Sequence, residues 1–175
     1  MDGNGRWATR RRLPRSEGHT QGTRTARAIV EETRRLGIPC LTLYAFSREN
    51  WTRPREEISF LFQLLSRFLQ GEIQNLIDQD IRLNVLGEIQ ELPLATRKVI
   101  EHACARTTSC KSMTLNLALN YSGRFEIVRA CRKILEQGLL PQEINEQVFA
   151  GYLYTSGQPD PDLIIRTSGE LRISN

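Results

Sequence analysis

The sequence predicts an α/β protein with a single, mainly parallel β-sheet flanked by helices. Short apolar runs typical of buried strands alternate along the chain with longer segments of helical periodicity. This alternation is typical of units in which helices cross over between parallel strands. The length of 175 residues fits one domain with a sizeable core, and 39% hydrophobic and 25% charged residues are contents typical of a globular protein.

The first half of the chain contains two predicted helices with a strand between them. A helix is expected from Ser16, its candidate cap, to about Leu36, and Gly37 follows where a helix end favours a left-handed residue. Cys40 to Phe46 is a nearly continuous apolar run, which predicts a buried strand. Pro54 then opens a helix that extends to about Asp78, and its broad apolar surface predicts burial on two sides.

The second half of the chain continues the alternation. The predicted strands are Ile81 to Leu86, Met113 to Leu119 and Leu163 to Ile165. The predicted helices run from about Leu92 to Ser109 and from Gly123 to Gln137, and a short helix holds Val148 to Leu153. Ligand sites in such sheets gather at the carboxyl ends of the strands. The polar residues that follow three of these strands, Ser47, Asn120 and Arg166, are therefore expected to converge on one rim.

The first nineteen residues carry the clearest functional signal. They contain only two acids, Asp2 and Glu17, and Asp2 stands beside Gly3 ahead of a series of arginines that leads to His19. Glycines on both sides of Asn4 let backbone N–H groups approach an anion closely. A divalent metal on Asp2, sharing diphosphate oxygens with the arginines, explains this pattern economically. A glycine-rich turn followed by a solvated basic face explains it equally well.

Five sequence blocks, in order, point to one family. They are Met1-Asp-Gly-Asn-Gly-Arg-Trp-Ala, Leu41-Thr-Leu-Tyr-Ala-Phe-Ser-Arg-Glu-Asn-Trp-Thr-Arg-Pro, Leu115-Asn-Leu-Ala-Leu-Asn-Tyr-Ser-Gly-Arg, Pro161-Asp-Leu-Ile-Ile-Arg-Thr-Ser-Gly-Glu and Arg172-Ile-Ser-Asn. Together they resemble the cis-prenyltransferases, the undecaprenyl diphosphate synthase family. The resemblance implies that family's fold, with an elongated hydrophobic tunnel for the growing isoprenoid chain, lined by the helix that begins after Pro54.

The resemblance also implies a reaction and a set of site residues. The reaction is the condensation of isopentenyl diphosphate with an allylic diphosphate such as farnesyl diphosphate, with Mg²⁺ as cofactor. The product is a cis-polyprenyl diphosphate, and products of this kind serve as cell wall lipid carriers. The implied catalytic residues are Asp2, which is also the metal ligand, and Asn50. The implied ligands of the allylic diphosphate are Gly3, Asn4, Gly5, Arg6, Trp7, Arg15 and His19. The implied ligands of isopentenyl diphosphate are Ser47, Arg53, Arg166, Arg172 and Ser174.

Several of these residues also have a structural interpretation. Trp7 and Trp51 fit ordinary aromatic packing at least as well as contact with a prenyl chain. Asn50 is not basic enough to act as a free general base, so a diphosphate oxygen is a candidate for the final proton acceptor. Glu57 either polarises the loop arginines or is a carboxylate in the first turn of a helix. Arg166 alone could be a surface charge.

The resemblance sets expectations for the extent and the partners of the chain. Residues 1–175 are expected to form a single cis-prenyltransferase domain that lacks the first strand and the C-terminal segment of the family, and with that segment the second acidic metal ligand. A homodimer is expected. No apolar run approaches the roughly 20 residues that cross a bilayer, so we expect a cytoplasmic protein with at most peripheral membrane contact.

Other functions are less consistent with the sequence. The four cysteines show no paired C-x-x-C spacing, which argues against a zinc site. A net charge of +4 permits a basic RNA-binding module, but the aromatic residues do not interleave with the basic ones as a stacking platform requires. A noncatalytic subunit of a cis-prenyltransferase complex is the second alternative. Such subunits typically lose the signature that is intact here from Asp2 to Arg6.

Overall fold

The computed structural model describes residues 2–171. Its α-helices are α1 (Asn4–Thr9), α2 (Arg15–Arg35), α3 (Arg55–Asp78), α4 (Leu94–Arg106), α5 (Gly123–Glu136) and α6 (Glu146–Ala150). Its strands are β1 (Cys40–Ser47), β2 (Ile81–Leu86) and β3 (Met113–Tyr121). Short 3-10 helices cover Arg48–Thr52, Ile89–Glu91 and Pro141–Glu143. Arg172 and Ser174, both predicted site residues, lie outside the described residues.

The three strands form one parallel sheet in the order β1, β3, β2. Leu115, in the central strand β3, is opposite Leu41 of β1 and Leu83 of β2. Helix α3 connects β1 to β2, and α4 connects β2 to β3, as parallel neighbours require. The predicted class, a parallel sheet flanked by helices, is confirmed.

The main core lies on the face of the sheet that carries the alternating leucines of β3. Leu115, Leu117 and Leu119 are buried there in one apolar cluster with Phe62 and Leu69 of α3. Helix α3 also contacts α2 and α4, so its broad apolar surface packs against two helices as well as β2. Burial of these side chains, at roughly 25 cal/mol for each Å² of apolar surface, is the main force that holds α3 on the sheet.

The opposite face of β3 is polar. Asn116 is almost completely buried, and its amide donates to the Oε1 atom of Gln158 at 2.5 Å and to the hydroxyl of Thr42 at 3.3 Å. Asn84 of β2 donates in turn to Asn116 at 2.7 Å. Because buried amides are stable only when their hydrogen bonds are made, these contacts hold the segment around Gln158 against the sheet.

Helix α1 was not expected, because glycines flank its first residue and predict a loop. The helix begins after Gly3, whose φ of 86° is left-handed, and its six residues pack against α2. A Cβ atom at Gly18 of α2 would lie 2.0 Å from the carbonyl oxygen of Asn4. The two helices therefore approach so closely that only glycine fits at this position. Packing on α2, rather than intrinsic propensity, explains a helix this short.

Two predicted helix boundaries are shifted by proline. Helix α2 begins at Arg15, directly after Pro14, so the expected cap Ser16 lies inside the first turn and makes no cap. Helix α4 begins after Pro93 rather than near Leu92. Proline is favoured at such starts because its fixed φ suits the helix entry and it has no N–H to leave unpaired.

The predicted last strand is wrong. Leu163, Ile164 and Ile165 form no strand, and their exposed fractions are 74%, 67% and 78%. Within residues 2–171, β1 and β2 are the outer strands of the sheet and neither pairs with this run. An apolar sequence becomes a strand only where a neighbour accepts its backbone hydrogen bonds, and sequence pattern alone does not reveal that neighbour.

Candidate active site

Asp2 lies between two arginines that come from opposite ends of the chain. One carboxylate oxygen accepts from Nη2 of Arg6 at 3.2 Å, and the other accepts from Nη2 and Nε of Arg166 at 3.0 and 3.3 Å. Thr167 closes the arrangement, because its hydroxyl donates to the Asp2 carbonyl at 3.0 Å and accepts from the Asp2 N–H at 3.1 Å. The predicted meeting of Asp2 and Arg166 is therefore present in the structure.

The environment of Asp2 keeps its carboxylate charged. Burial alone raises the pKa of Asp2, but the hydrogen bond from Arg166 and the nearby positive charges outweigh it and hold the pKa below its ordinary value. Arg6 is held from its other side by Glu170, at 2.6 Å between Nη1 and Oε1. Asp2, Arg6, Arg166 and Glu170 form the first cluster of the site, which carries two positive and two negative charges.

A tight backbone contact brings the segment after Arg166 to the N-terminal turn. A Cβ atom at Gly3 would lie 2.3 Å from Oγ of Ser168 and 2.6 Å from its Cβ. Gly3 also has a left-handed φ that side chains rarely adopt. Glycine at this position therefore permits both the turn that starts α1 and the approach of Thr167 and Ser168 to Asp2.

Glu57, in the first turn of α3, is the centre of a second cluster. Its Oε1 atom lies 3.1 Å from Arg53 Nη1, 3.3 Å from Arg15 Nη2 and 3.2 Å from His19 Nε2. Three of the predicted ligand residues thus meet on one oxygen atom. Sequence reasoning left Glu57 open between a partner for the loop arginines and an ordinary helix carboxylate. The structure supports the first interpretation.

The protonation states in the second cluster follow from its burial and charge. Burial acts to raise the pKa of Glu57, but hydrogen bonding to His19 and the charges of the two arginines lower it overall. Burial lowers the pKa of His19, and the two arginines add to that effect against the attraction of Glu57. His19 is therefore neutral near pH 7, while Glu57 is ionised, and the second cluster carries a net positive charge of one.

The two clusters are neighbours in space. A Cβ atom at Gly5 would lie 3.1 Å from Nη2 of Arg15, so the first turn of α1 separates the Asp2 cluster from the Glu57 cluster. The side-chain amide of Asn4 lies against Gly22 of α2, one turn after His19. The Trp7 ring contacts Arg11, whose guanidinium stacks on it at 4.3 Å from the centroid.

The loop after β1 is ordered by its own polar side chains. Oδ1 of Asn50 accepts from the backbone N–H of Ser47 at 3.2 Å, and the Ser47 side chain accepts in return from the Asn50 backbone. These reciprocal bonds stabilise the short 3-10 helix that precedes Arg53. Ser47 lies opposite Tyr121 at the carboxyl end of β3, so two of the three expected polar segments do share one rim.

An apolar cleft begins beside this loop. It has a volume of about 710 Å³ and runs between α3 and the start of α4. Trp51, Ile58 and Phe62 form its apolar wall, with Ser66 of α3 and Thr96 of α4 further along. The Trp51 ring also contacts Phe62, with centroids 5.5 Å apart, so this partly exposed tryptophan packs against the edge of the core and lines the cleft at the same time.

Comparison with known proteins decides the family. A family profile described as "Putative undecaprenyl diphosphate synthase" matches residues 1–175. The isoprenyl transferase of Clostridium tetani is 49% identical over 179 residues, which cover 100% of this chain and 70% of that protein. The isoprenyl transferase of Geobacter sulfurreducens is also 49% identical, with 73% of its length covered. This chain belongs to the undecaprenyl diphosphate synthase family.

Solved structures agree with this family. The crystal structure of lavandulyl diphosphate synthase from Lavandula x intermedia, in complex with dimethylallyl diphosphate, matches with a TM-score of 0.96 at 36% identity. That match covers 100% of this chain and 78% of the other. A probable undecaprenyl diphosphate synthase from Campylobacter jejuni matches with a TM-score of 0.78 at 34% identity, covering 89% and 73%. The chain is an enzyme of the cis-prenyltransferase class.

Asp2 is the candidate metal ligand among the described residues of this family member. Among residues 2–171 no group of three or more His, Cys, Asp or Glu side chains is arranged to hold a cation. Asp2 fits Mg²⁺ nevertheless, because Mg²⁺ is commonly held by one or two carboxylates together with substrate phosphates. Helices long and apolar enough to span a membrane are also absent from the described part of this undecaprenyl diphosphate synthase homologue.

Three contacts of the site had no clear sequence signal. Glu170 reaches Arg6 across 164 positions of the chain, and Thr167 reaches Asp2 across 165. Glu57 lies four residues after Arg53 but not on a shared helix, because α3 begins at Arg55, and its contacts with Arg15 and His19 depend on the packing of α2 beside α3.

Proposed function

We propose that this cis-prenyltransferase condenses isopentenyl diphosphate with an allylic diphosphate such as farnesyl diphosphate. A carbon–carbon bond forms between the alkene end of isopentenyl diphosphate and the allylic carbon, while the allylic carbon–oxygen bond breaks. Diphosphate leaves with the electron pair, and a proton lost from the adduct creates the new cis double bond. The observation that carries the proposal is the single carboxylate of Asp2 held between Arg6 and Arg166 beside a second, net positive cluster.

The two diphosphates require separate binding groups. The allylic diphosphate is assigned to Gly3, Gly5, Arg6, Arg15 and His19, with Asn4 and Trp7 as more distant contributors. Isopentenyl diphosphate is assigned to Ser47, Arg53, Arg166, Arg172 and Ser174. Arginine suits both because its planar fork donates two parallel hydrogen bonds to phosphate oxygens. Glu57 fixes the orientation of the guanidinium groups that it contacts before a diphosphate arrives, which reduces the cost of ordering them.

Asp2 is the residue that would hold Mg²⁺. When bound there, the ion supplies Lewis-acid stabilisation of the leaving diphosphate. Arg6 and Arg166, which contact Asp2, are placed to donate to phosphate oxygens and neutralise charge as the allylic bond breaks. The side chain of Asn50 orients the loop rather than acting as a base, so a diphosphate oxygen is the better proton acceptor.

The apolar cleft between α3 and α4 is the proposed channel for the product chain. It begins at Trp51, beside the loop that carries Ser47 and Arg53, and its wall continues along Ile58 and Phe62. An isoprenoid chain has no hydrogen-bonding groups, so an apolar surface of this kind suits it. The chain would extend from the diphosphate site along α3 as isopentenyl units are added.

We further propose that residues 1–175 act as one catalytic domain in a homodimer. Helix α5 exposes Ile127, Val128 and Leu135, with 52%, 46% and 71% of each residue accessible. Exposed apolar side chains grouped in this way favour a protein–protein interface. Sedimentation equilibrium on the wild type and on a Leu135→Glu variant tests this point, and a monomeric wild type would contradict it.

The test of the reaction uses radiolabelled isopentenyl diphosphate with farnesyl diphosphate, with and without Mg²⁺. Labelled polyprenyl product is expected only with Mg²⁺, and the Clostridium tetani relative serves as the positive control. Asp2→Asn is expected to lower kcat by more than about 100-fold, since removing a charge-stabilising group from a reacting centre costs that much. Asp160→Asn, an exposed carboxylate away from the clusters, is the matched control.

The outcomes separate the alternatives. No product from this chain, under conditions in which the relative is active, would refute the catalytic proposal. Binding of farnesyl diphosphate without turnover would favour a noncatalytic subunit. Salt-sensitive binding of RNA without turnover would favour a nucleic-acid module instead.

A further inference from the structure

Asn120, at the carboxyl end of β3, is fully buried and uses both ends of its amide. Its Oδ1 atom accepts from the indole Nε1 of Trp51 at 2.8 Å. Its Nδ2 atom donates to the backbone carbonyl of Glu88 at 2.9 Å and to Oε2 of Glu91 at 2.8 Å. No other part of the functional proposal uses this residue, although it belongs to one of the five sequence blocks.

These contacts join two segments that border the site. Trp51 lies in the 3-10 helix Arg48–Thr52, which connects Ser47 to Arg53. Glu88 and Glu91 belong to the connection between β2 and α4. A further ion pair, 2.9 Å between Arg48 Nη1 and Glu91 Oε2, completes a ring of contacts that starts and ends at Asn120. The 3-10 helix is therefore attached to β3 through Trp51 and to the connection between β2 and α4 through Arg48.

The backbone and the chemistry of the position both favour asparagine. The φ of Asn120 is 50°, a left-handed value that asparagine tolerates better than most residues. An indole N–H needs an acceptor, whereas the Glu88 carbonyl and the Glu91 carboxylate need donors. Only an amide side chain of this length supplies both functions, and aspartate would place a second negative charge against Glu91.

We propose that Asn120 is a positioning residue for the isopentenyl diphosphate subsite. It fixes the Arg48–Thr52 helix and, through it, the orientation of Ser47 and Arg53, while it holds the Trp51 ring at the mouth of the apolar cleft. This inference rests on the proposed function of the same site. Because the contacts of Asn120 do not extend to the Asp2 cluster and reach the allylic substrate only through the Trp51 ring, KM for the allylic substrate is expected to change less than KM for isopentenyl diphosphate.

The kinetic test compares Asn120→Asp with a matched control, Asn116→Asp. Asn116 lies four residues earlier in β3 and is buried to the same degree, but its amide contacts Gln158 and Thr42 instead. Asn120→Asp is expected to raise KM for isopentenyl diphosphate by about tenfold, the loss typical of one buried hydrogen bond to a charged group. KM for farnesyl diphosphate should change less than about threefold. The control variant should lower Tm without changing either KM.

A second substitution tests the donor–acceptor logic directly. Adding Glu91→Gln to Asn120→Asp places an amide donor opposite the new carboxylate and removes the repulsion between two acids. KM for isopentenyl diphosphate is then expected to fall below that of Asn120→Asp alone, because the hydrogen bond between positions 120 and 91 is restored with its direction reversed, while the Glu88 carbonyl still lacks its donor. Glu91→Gln alone should have a small effect. A merely structural defect at position 120 would not be repaired in this way.

The tryptophan contact can be measured without turnover. The chain has two tryptophans, so the ¹⁵N-indole NMR spectrum contains the Trp51 resonance and that of Trp7 as an internal reference. Asn120→Gly, which tolerates the left-handed φ, should shift the Trp51 N–H upfield and leave Trp7 unchanged. An inactive wild type that also fails to bind isopentenyl diphosphate would end the proposed function and this inference together. An active wild type whose Asn120 variants keep the same KM, or the same indole resonance, would overturn the inference alone.

Discussion

Replacement of Glu57 by alanine tests whether the second cluster is held by one carboxylate. The variant removes the single oxygen that Arg15, His19 and Arg53 share. With Glu57 absent, two arginines and a buried histidine remain close together without an acidic partner. We therefore expect a loss of stability and a loss of order in the loop arginines that the proposed reaction uses.

The size of the effect follows from the exposure of each partner. The side chain of Arg15 is 60% exposed, so its pair with Glu57 contributes less than about 0.5 kcal/mol. Arg53 and His19 are 32% and 10% exposed, and each hydrogen bond to the buried carboxylate is worth about 1 kcal/mol at these distances of 3.1 to 3.2 Å. The expected total is about 2 to 2.5 kcal/mol, or a decrease in Tm of roughly 4–10 °C for a chain of this size.

Urea and thermal unfolding measure this loss against a matched control. Glu56→Ala removes a neighbouring, exposed carboxylate from the same first turn of α3, so it loses the same favourable interaction with the helix dipole and none of the three contacts. The lowered pKa of Glu57 means that its contribution is present above the ordinary glutamate value of 4.5 and is lost as the pH falls through the folded-state value. Equal losses for Glu56→Ala and Glu57→Ala would refute the reasoning.

Three further predictions concern backbone strain, ionisation and the cleft. Gly3→Ala should lower the free energy of unfolding by more than about 2 kcal/mol, because the new side chain combines a left-handed φ with a clash against Ser168. The control Gly37→Ala, where φ is 72° and the surrounding space is open, should lose only the backbone strain of about 1 kcal/mol. Equal losses in urea unfolding would contradict this prediction. Burial lowers the pKa of His19, so the unfolded chain binds a proton at this histidine more readily than the folded chain does. The wild type should therefore lose stability relative to His19→Gln as the pH falls below the ordinary histidine value of 6.5. An equal change in urea stability for both proteins between pH 7 and pH 5 would contradict this prediction. Ser66→Phe should narrow the cleft and shorten the polyprenyl product on thin-layer chromatography, and an unchanged product length would count against the channel.

Sequence reasoning succeeded where local signals were strong. Strand β2 was predicted with the observed bounds, because a short run of alternating and branched apolar residues ends at a glycine. Helix α3 was predicted to within a residue, since Pro54 marks its start and an unbroken apolar pattern extends to Asp78. In both cases the chain's own propensity and its tertiary environment favour the same structure, so the pattern alone is sufficient.

The failures arise where tertiary contact decides the outcome. Helix α1 has glycines at its start and only six residues, and it exists because Gly18 lets it approach α2 closely. Leu163–Ile165 has the composition of a strand but no paired neighbour among residues 2–171. The Glu57 cluster joins residues 38 to 42 positions apart, a distance at which sequence spacing carries no geometric information. The resemblance identified its two arginines as ligands, whereas Glu57 stayed open between a partner for those arginines and an ordinary carboxylate in the first turn of a helix.

The charges of the two clusters suggest different roles for a cation. Among residues 2–171, the Asp2 cluster balances Arg6 and Arg166 against Asp2 and Glu170, so these four side chains attract an incoming diphosphate weakly unless a divalent ion accompanies it. The Glu57 cluster retains a net positive charge, because His19 is neutral and one carboxylate faces two arginines. A diphosphate can therefore bind beside Arg15 without a cation, whereas one that reaches Asp2 and Arg166 needs the ion. We therefore propose that Mg²⁺ serves the step in which the allylic bond breaks rather than capture of the first substrate, and titration calorimetry with farnesyl diphosphate in EDTA should still show binding.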